Sequence, residues 1–84
     1  MKKEEKAIAL KYEKGFEAPI ISAKGEGFKA KKILEIAKAE NIPIKEDISV
    51  INLLENSEEG KFVPESAYKT LAIIFSFILE DKNE

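Results

Sequence analysis

Three prolines, Pro19, Pro43 and Pro64, set the limits of what this chain can fold into. Proline donates no backbone hydrogen bond and turns the residue before it away from the helical region. No helix or central strand can run through these positions, so the elements must be short. Before Pro19, Ala7–Tyr12 reads as a strand by period-two alternation, with Ile8, Leu10 and Tyr12 on one side. Glu13–Glu17, with Gly15, reads as a turn. Pro19–Ala23 is a short apolar run led by proline, which suits a buried strand whose first residue need not donate. Lys24-Gly25-Glu26-Gly27 reads as a second turn.

The spacing predicts a helix over Phe28–Glu40, with Ala30, Ile33, Leu34 and Ala37 on one apolar stripe. Asn41 can end it, and Ile42-Pro43 bars its continuation. Pro43–Glu46 then reads as a short strand, and strand, helix and strand in this order predict a right-handed βαβ crossover with a parallel pair. Asp47 or Ser49 can cap a second helix reaching about Asn56, with Val50, Ile51 and Leu54 inward. Ser57–Phe62 is a polar loop around Gly60. Val63-Pro64-Glu65 opens the last helix, where proline fits the first position and Glu65 the positive end of the dipole. Tyr68, Leu71, Ala72, Phe75, Ile78 and Leu79 form its main stripe. The fold class expected is α/β: one domain over residues 1–84, a small sheet of about three strands flanked by about three helices, with one βαβ crossover and with residues 1–6 and 81–84 as loose tails.

Composition narrows the function classes. The 84 residues hold no cysteine and no histidine, which removes disulfides, thiolate metal sites and the commonest general base and metal ligand. No metal or other cofactor is expected. A net charge of -2 with 36% charged residues lacks the basic excess of a nucleic-acid binder. Met1–Lys6 carries both signs of charge and no long apolar run follows, unlike a signal peptide. Leu71–Leu79, the most apolar stretch, is nine residues, against the roughly 20 of a spanning helix. A cytoplasmic domain without direct membrane insertion is the expectation.

One motif has an enzyme-like form. Gly25-Glu26-Gly27-Phe28-Lys29-Ala30 fits the dinucleotide fingerprint G-x-G-x-x-G/A between a strand and a helix, with Glu46 at a suitable distance. Against it, the chain is about half the size of a dinucleotide-binding domain, and Glu26 puts a carboxylate where a pyrophosphate would lie. The competing reading is a turn that uses glycine for backbone freedom. The pairs Glu4-Glu5, Glu46-Asp47 and Glu58-Glu59 lie in polar segments and read as solvated charges rather than an acid–base pair. Lys29, Lys31, Lys32 and Lys38 read as a solvated helix face or a surface for an acidic partner. Ile73, Ile74 and Phe77 widen the apolar arc of the last helix, which is then either central or in contact with a partner, including a second copy in a dimerising adaptor.

Read in series, Ala7-Ile8-Ala9-Leu10-Lys11-Tyr12, Ala18-Pro19-Ile20-Ile21-Ser22-Ala23-Lys24-Gly25, Ile33-Leu34-Glu35-Ile36-Ala37 before Asn41-Ile42-Pro43, and Gly60 with Val63-Pro64-Glu65 and Tyr68 have a familiar order and spacing. The chain resembles the C-terminal cytoplasmic domain of the FlhB family of flagellar and type III export proteins. That family shows A-V-A-L-K-Y, S-A-P-x-V-V-A-K-G, I-R-E-I-A before V-P, and G-x-x-I-P-x-x-x-Y. It also carries an N-P-T-H tetrapeptide just before the first of these strands, where the chain cuts itself between Asn and Pro. Here Lys2-Lys3-Glu4-Glu5 stand in that place, so the chain resembles the released fragment in stand-alone form.

The resemblance implies a non-enzymatic interaction module at the cytoplasmic, inner-membrane side of the export gate. Its partners would be export substrates and other export-gate proteins, with no catalytic residue. A patch implicated in substrate docking carries over to Ala18, Pro19, Ala72 and Phe75, with Phe75 where the family usually has a smaller aliphatic residue. The family has one more strand before its cleavage loop. That implies an unpaired edge at Ala7, Ile8, Ala9 and Leu10, open to the membrane-anchored part of FlhB. The prolines are preceded by Ala18, Ile42 and Val63, so no Asn–Pro bond exists to be cut. Prolonged incubation at neutral pH should leave the intact mass unchanged, and a discrete internal cut in purified protein would contradict this reading.

Overall fold

The computed structural model describes residues 5–82, with side chains as far as residue 78. Strands β1 (Lys6–Lys11) and β2 (Ile20–Glu26) pair antiparallel, from Lys6 opposite Glu26 to Lys11 opposite Ile20. Helix α1 (Phe28–Ala39) follows directly, then α2 (Ile48–Leu53), a 3₁₀ turn at Glu65–Ala67, and α3 (Tyr68–Lys82).

The two faces of the hairpin differ in side-chain size, and this sorts the helices. Ala7 pairs with Gly25 and Ala9 with Ala23, so over these two pairs one face carries only small residues. Helix α1 packs across both strands on that side, with Ala30 fully buried. A Cβ at Gly25 would come within 2.7 Å of Lys29 Cγ and 3.0 Å of the Lys29 backbone carbonyl carbon, so this glycine serves a close approach. Ile8, Leu10 and Ile21 face the other way, into a core of Ala18, Ile21, Val50, Leu54, Val63, Ala67 and Leu71. Ile21 and Leu54 are fully buried at its centre.

The ends of α1 and α2 follow from local chemistry. Asn41 takes a left-handed conformation, φ 59°, and donates to the Lys38 carbonyl, while the Ile42 N–H reaches back to Ala37. This is a Schellman stop, with asparagine in the position glycine usually takes. Asp47 Oδ1 caps α2 by accepting from Ser49 N at 3.1 Å and Val50 N at 3.3 Å. The Ser49 hydroxyl and the Val50 amide hold the Asp47 carboxyl below its usual range.

Several expectations need correction. The third strand at Pro43–Glu46 does not form, and the βαβ crossover goes with it: among the described residues the sheet has two strands, and they are antiparallel. Pro43 cannot donate to a ladder, and a groove separates this segment from β1. Strand β2 runs to Glu26, so Lys24–Glu26 is strand rather than turn. Pro64 is extended, with ψ 154°, and sits just outside the last helix instead of at its first position. Lys6 belongs to β1, and the Glu5 carbonyl accepts the Gly27 N–H at 2.7 Å, so the loose N-terminal tail does not include these two residues. Asp81 and Lys82 belong to α3. Residues 1–4, 83 and 84, and the Leu79 side chain expected on the last helix stripe, lie outside what is described.

The outer edge of β2 is closed by the chain itself. Ile21 N donates to the Lys61 carbonyl at 2.9 Å, Gly60 N to the Ile21 carbonyl at 2.7 Å and Val63 N to the Pro19 carbonyl at 2.9 Å. Lys24 N donates to Glu59 Oε2 at 2.8 Å. Ile21 and Lys24 are an odd number of residues apart yet both turn their N–H away from β1. The bulge opposite Ala9/Leu10, which makes Ser22 an extra residue, permits this.

Two outcomes follow. Gly25→Ala forces α1 off the sheet and should lower unfolding free energy by about 1–3 kcal/mol, the usual range for overpacking; unchanged stability in denaturant titration would show that α1 yields freely. The second concerns pH. The Lys24 amide, then the Lys29 ammonium at 3.3 Å, holds the Glu59 carboxyl below the ordinary range. A carboxyl lowered on folding contributes stability above its unfolded value and loses it as pH falls through the folded one. The stability gap between wild type and Glu59→Ala should be widest near neutral pH and narrow on acidification. A gap independent of pH would contradict the role given to this carboxylate.

Candidate docking groove

An open groove of about 700 Å³ lies beside β1, on the core side of the hairpin. Ile8 and Leu10 of β1, the Ala18-Pro19 pair, and Ala72 and Phe75 of α3 line it, with Ile42 and Pro43 on the far wall. The four residues singled out in the sequence, Ala18, Pro19, Ala72 and Phe75, therefore meet in one place. Ala18 is buried, belonging to the central core, so of the four it is the one a partner could not reach directly. Pro19 and Phe75 are partly covered and Ala72 is exposed.

Phe75 stacks on Tyr12, with ring centroids 6.3 Å apart and planes 19° from parallel. Phe16 meets Tyr12 edge-on at 6.4 Å. The large residue at position 75 thus stacks on a ring just past the end of β1, and both rings line the groove. Tyr12 was placed on the apolar side of the first strand by alternation, but nothing in its spacing showed that it would face the last helix. Among the described residues, charged groups line the groove only at Glu17, Lys45 and Asp47. An apolar trough with a few polar groups at its rim is suited to taking up hydrophobic groups.

The glycine motif has other tasks. Gly25 lies within β2 under Lys29, and the Gly27 N–H, which a phosphate would need, is bonded to Glu5. The following strand that a dinucleotide site requires is missing among the described residues. On α3 the arc widened by Ile73 and Phe77 remains outside the core, these side chains being 52% and 59% exposed.

Comparison with known proteins gives this arrangement its setting. The model of the FlhB, HrpN, YscU and SpaS family matches residues 4–78. The chain belongs to this family. It is 40% identical over 74 residues to the protein YlqH of Bacillus subtilis, covering 87% of this chain and 80% of YlqH. It is 38% identical over 81 residues to the flagellar biosynthetic protein FlhB of Aquifex aeolicus, covering 93% of this chain but 23% of that protein. Among solved structures, a mutated EscU C-terminal domain superposes with a TM-score of 0.84 at 27% identity, covering 89% of this chain and 93% of that one. The PscU C-terminal domain shares the fold, with a TM-score of 0.80 at 23% identity over 87% of this chain and 95% of that one. The chain is thus an FlhB-family domain related to flagellar and type III export proteins, and it spans less than a quarter of the flagellar FlhB of Aquifex aeolicus. No helix among the described residues is long and apolar enough to cross a membrane.

Proposed function

We propose that this chain is a non-enzymatic docking module of a flagellar or type III export apparatus, and that its groove receives an apolar segment of an export substrate at the cytoplasmic side of the gate. One observation carries the reading: Ala18, Pro19, Ala72 and Phe75, distant in sequence, line a single open apolar groove. Family membership supplies the setting. The Tyr12–Phe75 stack gives the groove a flat aromatic end, against which a substrate side chain can pack in place of solvent.

The rim and the wall respond differently to substitution. Ala72 is exposed, so Ala72→Glu leaves the core alone and should change stability by no more than about 0.5 kcal/mol, as surface changes do. It should still weaken binding of a peptide from the N-terminal region of an early flagellar export substrate at least tenfold. Phe75→Ala removes a largely covered ring and should cost both binding and roughly 2 kcal/mol of stability, below the 3–5 of a fully buried phenylalanine. Fluorescence anisotropy with labelled peptide, beside denaturant unfolding of both variants, separates the two effects. Peptide affinity unaltered by Ala72→Glu would overturn the docking role.

A further inference from the structure

Charge is spread unevenly over this chain, and one helix holds the positive part. Helix α1 carries Lys29, Lys31, Lys32 and Lys38 against Glu35, a net of +3. The whole chain stands at -2, so the residues outside α1 sum to -5. Lys29 already pairs with Glu59 at 3.3 Å. Lys31, Lys32 and Lys38 are exposed, and their ammonium groups have no ion-pair partner among the described residues.

The same outward face carries apolar side chains that the fold does not use. Ala30 is buried against the hairpin, with Ile33, Leu34 and Ala37 half-buried beside it. Phe28, Lys32 and Ile36 recur every four residues on the side turned away from it. Phe28 is 80% exposed and Ile36 59%. Two helical turns separate them, about 12 Å along the axis. A helix that packs by one stripe gains nothing from a phenylalanine on the opposite side. Single exposed apolar residues are ordinary, but these two flank lysines that have no partner of their own.

We infer that the outward face of α1 is a second interaction surface, and that its occupant is an acidic amphipathic helix of a partner protein, with apolar side chains on Phe28 and Ile36 and carboxylates on Lys31, Lys32 and Lys38. The local surplus of positive charge calls for carboxylates, and the -5 elsewhere repels an acidic segment from other surfaces, which directs it to α1. The backbone of a helix interior is satisfied within the helix, so side chains alone do the recognising. An extended segment finds no ladder here, whereas a helix arrives with its own hydrogen bonds closed. Glu35 lies three or four residues from each of these lysines and so next to them on the helix surface. It opposes the continuous phosphate layer of a membrane or nucleic acid, while a protein helix can set a single hydroxyl or ammonium against it. Pairing of α1 with α1 of a second copy is disfavoured by like charge. Three exposed ion pairs contribute roughly tenfold in affinity together, and covering an exposed phenylalanine contributes roughly tenfold or more. The contact is therefore weak, and both halves are needed. The inference does not rest on substrate docking in the Phe75 groove, since the hairpin stands between that groove and α1.

The probe is the peptide acetyl-Ser-Ala-Glu-Glu-Leu-Glu-Ala-Leu-Leu-Glu-Glu-Leu-Glu-Ala-amide, titrated to about 1 mM into the nitrogen-15-labelled chain. The amides of Phe28, Lys32 and Ile36 should shift and saturate, and those of Ala72 and Phe75 should stay. The dissociation constant should rise at least about fivefold between roughly 25 and 300 mM salt, as screening shortens the reach of the lysines. Lys31→Glu together with Lys32→Glu should abolish the shifts, and Phe28→Ala should weaken the peptide about tenfold. All three positions are exposed, so the free variants should keep the wild-type spectrum elsewhere. An α1 unmoved by peptide, shifts confined to the Phe75 groove, or an affinity indifferent to the double substitution would overturn the inference. So would a chain that ignores the peptide but sediments with phosphatidylglycerol vesicles through Lys31 and Lys32, since the occupant would then be a membrane. A doubling of mass that the same double substitution removes, with no response to peptide, would assign the face to a second copy instead.

Discussion

The structure depends on two hydrogen bonds at one buried residue. Ile21 donates to the Lys61 carbonyl and accepts from the Gly60 N–H, and its side chain is fully buried in the core. These bonds fasten the loop after α2 to the outer edge of β2. Gly60 adopts φ 85°, a conformation side-chain-bearing residues rarely take, at the point where this loop meets the strand. From there Val63 bonds to Pro19, the 3₁₀ turn at Glu65–Ala67 enters the core through Ala67, and α3 is launched past Ala18 and Pro19. The groove exists because the last helix and the Ala18-Pro19 pair are fixed to the same strand. In a domain of 84 residues, where the core is small, such backbone attachment does much of the positioning.

Charge reinforces the attachment without being able to replace it. Lys24 reaches from β2 to the carbonyls of Glu55 and Ser57 at 2.8 and 2.5 Å, meeting backbone acceptors in the chain that leaves α2. Glu59 receives the Lys24 N–H and the Lys29 ammonium, tying the same loop to β2 and to the first turn of α1. The ion pairs Lys6–Glu55 and Lys29–Glu59 sit at the surface, where such pairs contribute little. Hydrogen bonds to backbone groups that would otherwise lose their partners matter more here than the attraction of opposite charges.

What could be read from the sequence was what local chemistry decides. The stop of α1 at Asn41 before Ile42-Pro43 and the capping of α2 depend on neighbours within four residues; the stop was legible, and the cap was narrowed to Asp47 or Ser49, of which the structure uses Asp47. Gly25 was not. A glycine in a strand pattern marks either a turn or a close approach, and only the position of Lys29, supplied by packing, distinguishes them. Pro43–Glu46 has the composition of a strand, but pairing is non-local, and no described edge reaches it. Ala18, Pro19, Ala72 and Phe75 came from family resemblance rather than from periodicity. The part of Tyr12 in the same groove could not be read without the path of α3.

The segment 42–47 links these observations. It is held at both ends, by the Schellman stop of α1 and by the cap of α2, and its middle has no backbone partner among the described residues. Ile42 and Pro43 border both the docking groove and the second groove that separates this segment from β1. A segment fixed only at its ends can shift its middle at little cost, because no ladder has to break. The two grooves share this wall. The sheet-and-core side of the grooves is tied by backbone hydrogen bonds, while residues 43–46 on the opposite side are held through the elements that flank them.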